Sequence, residues 1–154
     1  MTSAFFLQNF LAILTSKIKS QFKIHMPHPS LPEKKVLLTH LNWNLQRLDE
    51  VLKQGSTEYF KSAALQRFGH TYTMAIKSIR GFGEPEGETS DIECIVLAAQ
   101  NGWMEESPQW EEMTADFKCI NQKPLEQEVE VIYQKLPRYH KAFKILYLHL
   151  QNLT

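Results

Sequence analysis

The chain has 154 residues, 43% of them apolar and 22% charged, and its 17 basic side chains are matched by 17 acidic ones. A length and composition of this kind suit one soluble globular domain, and a net charge of zero gives no overall electrostatic reason to expect nucleic acid or membrane. The neutral total hides an uneven distribution. Residues 1–80 carry eleven Lys or Arg against four acids; ten acids and no base lie between Arg80 and Lys118; six bases and three acids follow from Lys118 on. An anionic ligand is therefore expected away from the surface built by the middle third. Two cysteines, Cys94 and Cys119, are too few for a disulfide framework and too isolated for zinc. Their apolar neighbours point to buried free thiols and a reducing cytoplasm.

Phe5, Phe6, Leu7, Phe10, Leu11, Ile13 and Leu14 form an apolar cluster, with Lys17, Lys19 and Lys23 behind it. A secretory signal has the opposite charge order and a small-residue cleavage site, and the cluster is too short for a membrane span. An amphipathic helix over residues 4–24 is expected, docked on the bundle or on a partner, with a membrane surface the weaker choice. Met26 also offers an internal start. His25 to Pro32 then form a proline-rich joint, which divides the chain into residues 1–32 and a bundle over 33–154.

The next helix is expected to begin at Glu33, with Leu38, Leu41, Leu45, Leu48 and Leu52 on one face. Gly55-Ser56-Thr57 ends it and supplies a cap for the following helix, at Ser56 or Thr57. That helix is predicted from Thr57 to Arg80, with Ala64, Phe68, Tyr72, Ala75 (or Ile76) and Ile79 inward. The run Gly81 to Gly87 reads as its breaker. A dinucleotide loop is excluded there, since no strand precedes Gly81 and no third glycine follows at the required spacing. Ser90 and Glu93 form a capping box for a short helix ending at Asn101-Gly102. Ser107-Pro108 opens another helix carrying Trp110, Met113, Phe117 and Ile120 on one side. Leu125, Val129, Ile132, Leu136, Tyr139, Phe143, Leu146 and Leu150 make the longest stripe, with a kink expected at Pro137. No segment alternates with period two. The expected fold is all-α: an up-and-down antiparallel bundle of four to five helices plus the N-terminal amphipathic one.

Leu65 to Lys77 and Asp116 to Tyr133 resemble segments of the HEPN superfamily, in its nucleotidyltransferase substrate-binding branch. Gln66-Arg67-Phe68, Tyr72, Ala75 and Lys77 are similar to that branch's Gln-Arg-Phe-rich run, although the family's two Glu positions read Gly69 and Thr73 and its Trp position reads Ile76. Ser90, Ile95, Ala98 and Gly102 look like the next element. Trp110 and Met113 precede Asp116 as in the family, and Ile132-Tyr133 and Leu136-Pro137 resemble its last helix. The resemblance spans about residues 37–150. It implies a homodimeric bundle that partners a minimal nucleotidyltransferase and binds nucleotide or RNA. The Gly-Ser and Asp-x-Asp signature of the transferase itself is absent.

Ribonuclease members place Arg-Asn after the Asp and a His a few residues later, where this chain has Phe117, Lys118 and Gln122. Phe117 cannot offset phosphate charge, and Gln122 cannot exchange a proton near neutral pH. The chain is accordingly expected to be non-catalytic, with Asp116, Phe117, Lys118 and Gln122 as a degenerate motif. A toxin-type ribonuclease with an altered site and a stand-alone interaction bundle are the alternatives. Arg67, His70, Lys77 and Lys118 are the candidate nucleotide or phosphate groove, with a surface salt bridge the competing role for Arg67 and Lys77. Asp116 is expected either to orient donors in that groove or to pair with Lys118 or a neighbouring helix. His140 and His149 do not share a clean face, and His25 and His28 lack a suitably spaced carboxylate, so no metal site or cofactor is expected. Glu105, Glu106, Glu111 and Glu112 read as a solvated acidic face.

Overall fold

A computed structural model describes residues 28–105 and 108–154. The amphipathic segment expected over residues 4–24, Met26 and the Ser107 start signal lie outside the described residues. Among the described residues there are five helices: α1 Leu31–Leu52, α2 Glu58–Gly83, α3 Asp91–Gln100, α4 Pro108–Ile120 and α5 Glu126–Gln151. There is no strand among the described residues, and the fold is an all-α bundle.

Local chemistry explains most of the ends. The hydroxyl of Ser30 accepts from the Glu33 backbone N–H at 3.4 Å, while the Ser30 N–H donates to the Glu33 carboxylate at 2.9 Å. This reciprocal cap starts α1 at Leu31, two residues before the Glu33 expected from the stripe, and leaves Pro32 in the first turn where its missing N–H costs nothing. Thr57, rather than Ser56, caps α2 through Phe60 N–H. The Ser90–Glu93 box forms as its spacing predicts.

α2 runs three residues past Arg80, through Gly81 and Gly83, before Glu84 turns left-handed at φ 47°. The glycines are inside the helix because neighbours occupy the space their side chains would need. A Cβ on Gly81 would overlap Leu37 of α1, and one on Gly83 would overlap Leu97 of α3. Close packing has thus outweighed the roughly 1 kcal/mol that each glycine costs a helix. α5 likewise continues through Pro137, which is exposed. A proline there removes one backbone donor, on a face where water can satisfy the freed Tyr133 carbonyl.

Contacts along the helices give their directions. Leu37 lies beside Gly81 and Asn44 beside Thr71, so α1 and α2 are antiparallel. α4 opposes α5 through Gln109 with Arg138 and Cys119 with Glu128. α2 and α5 run the same way, since Lys61 meets Glu130 and Phe68 meets both Tyr139 and Phe143. They form the central pair, with α1 and α4 on opposite flanks and not in contact. Phe68 stacks on Tyr139 at 5.4 Å, and Trp110 of α4 meets Phe143 edge-on at 5.5 Å. Burying each such ring contributes about 1.5–3 kcal/mol before the entropic cost of ordering it.

The predicted stripes of α1, α2 and α5 supply the core, with two departures. Leu125 is not a core residue: it sits at the α5 N-cap with 68% of its surface exposed. Both Ala75 and Ile76 are buried, so α2 is apolar over a wider arc than a single stripe. That width follows from its contact with α1, α3, α4 and α5 at once.

Candidate functional site

The four motif positions after Trp110 occupy one turn and a half of chain but face three different environments. Asp116 turns to α5, where its carboxylate accepts from the Tyr139 hydroxyl at 2.5 Å and from Lys135 at 3.2 Å. It does not pair with Lys118. One turn earlier Glu112 faces the same helix and binds Lys135 at 2.8 Å and Arg138 at 3.3 Å. Two acids on α4 therefore meet two cations and a phenol on α5. Glu112 is half-buried and paired, in contrast to the solvated Glu105 and Glu111.

The network sets the titration of its members. The hydrogen bond from Lys135 holds the Glu112 carboxyl below its ordinary value. Burial works to lower Lys135, but the bonds to Glu112 and Asp116 outweigh it and the ammonium is held above its usual value. Burial pushes the Tyr139 phenol far up, and its bond to Asp116 adds to the shift. A phenol so raised stays protonated at neutral pH and serves as a fixed donor.

Phe117 points the other way, into α2, where its ring stacks on Tyr72 with centroids 4.4 Å apart. Beneath that stack the Tyr72 hydroxyl lies 3.1 Å from Asp91 and 2.8 Å from Thr114, tying α2 to the starts of α3 and α4's middle turn. Burial raises this phenol strongly as well. Lys118 and Gln122 are exposed, the latter in the turn between α4 and α5. Asp116 and Phe117 are thus turned to different helices, while Lys118 and Gln122 face solvent.

A groove of about 960 Å3 lies between α2, the end of α4 and the start of α5. Leu65, Phe117, Ile120 and Val129 give it an apolar floor, and Gly69 lets α4 approach, since a Cβ there would stand 3.2 Å from Ile120 Cδ1. Glu58, Glu126 and Glu130 stand against Lys61, the one lysine among the described lining residues, and Lys61 is already bonded to Glu130 at 2.5 Å and lies over the Tyr133 ring. Such a lining disfavours phosphate.

Of Arg67, His70, Lys77 and Lys118, only His70 lines this groove. Arg67 projects toward α1, its guanidinium 5.7 Å from the ring of Trp43, which Arg47 also approaches at 5.5 Å. Lys77 is exposed on α2. The expected cationic groove is therefore not assembled: although residues 67 and 70 are only about 60° apart around a helix, the Arg67 side chain is drawn to Trp43 of α1, and neither Lys77 nor Lys118 lines the groove. Sequence patterning does not single out Trp43; an aromatic just outside the leucine stripe, four residues before Arg47, is its only signal.

The remaining candidates have structural partners or none. His140 Nε2 lies 3.2 Å from the Leu45 carbonyl, His28 contacts Glu84 at 3.2 Å, and His149 is exposed. Cys94 is buried as expected, but Cys119 is only half-buried and donates to Glu128 at 2.9 Å, which raises its pKa and leaves it a poor nucleophile. No cluster of three metal-ligating side chains occurs among the described residues, and no described helix is long and apolar enough to cross a membrane. The structure thus defines an all-α bundle with an acidic groove and a saturated polar network. No known family model matches the chain, and no curated protein sequence matches it.

Proposed function

We propose that the chain is a non-catalytic HEPN-like bundle that acts by association, with a minimal nucleotidyltransferase as the partner its resemblance implies. It works in the cytoplasm as a homodimer, and nucleotide or RNA is the ligand of the resulting assembly. The observation that supports this reading is the fate of Asp116. Its carboxylate is committed to Tyr139 and Lys135, while Phe117 is committed to the Tyr72 ring. Neither is poised to polarise a phosphodiester or to move a proton, and the outward Gln122 has no acid–base chemistry at neutral pH. An RNA phosphate would find its best cation at Arg67, which forms no ion pair among the described residues and is steadied by the half-exposed Trp43.

Expression of the chain alone, with and without a minimal nucleotidyltransferase from the same genome, tests the proposal. The expected outcome is intact total RNA, unchanged growth and co-purification of the transferase in a stoichiometric complex. Cleaved RNA in cells expressing the chain alone would instead mean a ribonuclease with an altered site. Intact RNA with no complex would leave a bundle whose partner is of another kind and overturn the assignment.

A further inference from the structure

We infer that the groove between α2, α4 and α5 is the docking site of this chain's own residues 5–14. This goes beyond the association proposed above and does not depend on it. The groove has an apolar floor at Leu65, Phe117, Ile120 and Val129, open to a second element. Its acidic rim, from Glu58, Glu126 and Glu130, disfavours an anionic occupant and leaves an apolar or basic one. Phe6, Phe10, Ile13 and Leu14 have the three- and four-residue spacing of a helical face that would fill it.

The reach of the chain places that face in register. His28 contacts Glu84 just past the end of α2, so residues 1–27 lead away from that end of the bundle. In the proposed arrangement the helix ends at Ile24, before the proline-rich joint, and its chain direction is parallel to that of α2. At a rise of about 1.5 Å per residue it carries Leu14 roughly 15 Å and Phe5 roughly 29 Å from Ile24, and residues 25–27 of the joint add at most about 10 Å. The α2 wall of the groove, from Thr73 to Lys61, lies roughly 16 to 35 Å from Glu84 along the same axis. The two intervals overlap.

Charge agrees with this direction and opposes the reverse one. In the proposed orientation Lys17, Lys19 and Lys23 fall between the groove and Glu84, beside the turn that carries Glu86 and Glu88. That turn is held against α2 by Arg80, which donates to the Thr89 carbonyl at 2.8 Å. Neither Glu86 nor Glu88 forms an ion pair among the described residues. A segment laid the other way would carry its lysines past the groove and leave these glutamates facing only solvent.

Paramagnetic relaxation in the full chain tests the inference. In a Cys119→Ser background, a nitroxide is attached at Gln66→Cys on the groove rim, or at Lys141→Cys on the exposed face of α5, with Ser62→Cys as a second rim position. Amide signals of residues 5–14 are expected to lose at least fivefold more intensity from either rim label than from the α5 label. Phe10→Glu is expected to abolish the difference while preserving the spectrum of residues 31–52. Equal broadening from rim and α5 labels, or no broadening from either rim label, overturns the inference. So does broadening that survives Phe10→Glu. If a spin-labelled, unlabelled-isotope copy broadens these signals in a separate isotope-labelled copy, the occupant is a second molecule and the intrachain assignment fails.

Discussion

Tyr139 shows how a side chain read only as an apolar stripe position acquires a polar duty. The spacing of α5 places it inward, and it is fully buried, but its hydroxyl is the closest donor to Asp116. Tyr139→Phe keeps the ring stacked on Phe68 and removes that donor, so the half-buried carboxylate loses its best partner. The expected loss is about 1–3 kcal/mol of unfolding free energy, read from the urea midpoint at constant slope. Asp116 was legible as a residue of interest only through the family resemblance, in which Trp110 and Met113 lead to an Asp. Its partner was not legible, since Lys135 and Tyr139 are 19 and 23 positions away. Nor does a one-dimensional pattern reveal that Arg67 turns toward Trp43 on another helix.

Helix ends separate two kinds of information. Caps at Ser30, Thr57 and Ser90 are local, made by residues within three positions of one another, and the third was read directly. Ser30 carried the same Ser-x-x-Glu pattern but was hidden by the surrounding prolines. The C-terminus of α2 is different: glycines that would ordinarily end a helix are retained within it because Leu37 and Leu97 pack over them. Gly83→Ala, although better for helix propensity, is expected to cost about 1–3 kcal/mol through overpacking against Leu97. Gly55→Ala, with no atom near its added methyl, is expected to be neutral or slightly stabilising. Thermal melts of the two variants, shifted in opposite directions or with only Gly83→Ala lowered, check this; equal shifts would contradict it.

At the scale of the molecule, two buried phenols join the helices: Tyr72 links α2 to α3 and α4, and Tyr139 links α5 to α4. Both are raised above the ordinary value of 10.0 by burial. In the unfolded chain each ionises as pH passes about 10, whereas the folded protein keeps its proton, so the unfolded state binds fewer protons above that point. The stabilisation is present below pH 10 and is lost as pH rises beyond it. Helical circular dichroism is expected to show a steep fall in the urea midpoint above pH 10, and the Tyr72→Phe, Tyr139→Phe double variant a shallower one. A parallel pH dependence in the two proteins would exclude this origin.

Periodicity alone was enough to place the helices of the described residues, to show which face of each turns inward and to predict that no strand occurs among them, because those properties depend on neighbours three or four residues apart. Assembly in space decided the rest. α2 and α5 became the central pair, Arg67 and His70 parted company, and three glutamates gathered around a groove whose floor comes from three separate helices. Burial follows from the local order of apolar residues, whereas a site requires side chains distant in sequence to converge, and convergence is a property of packing.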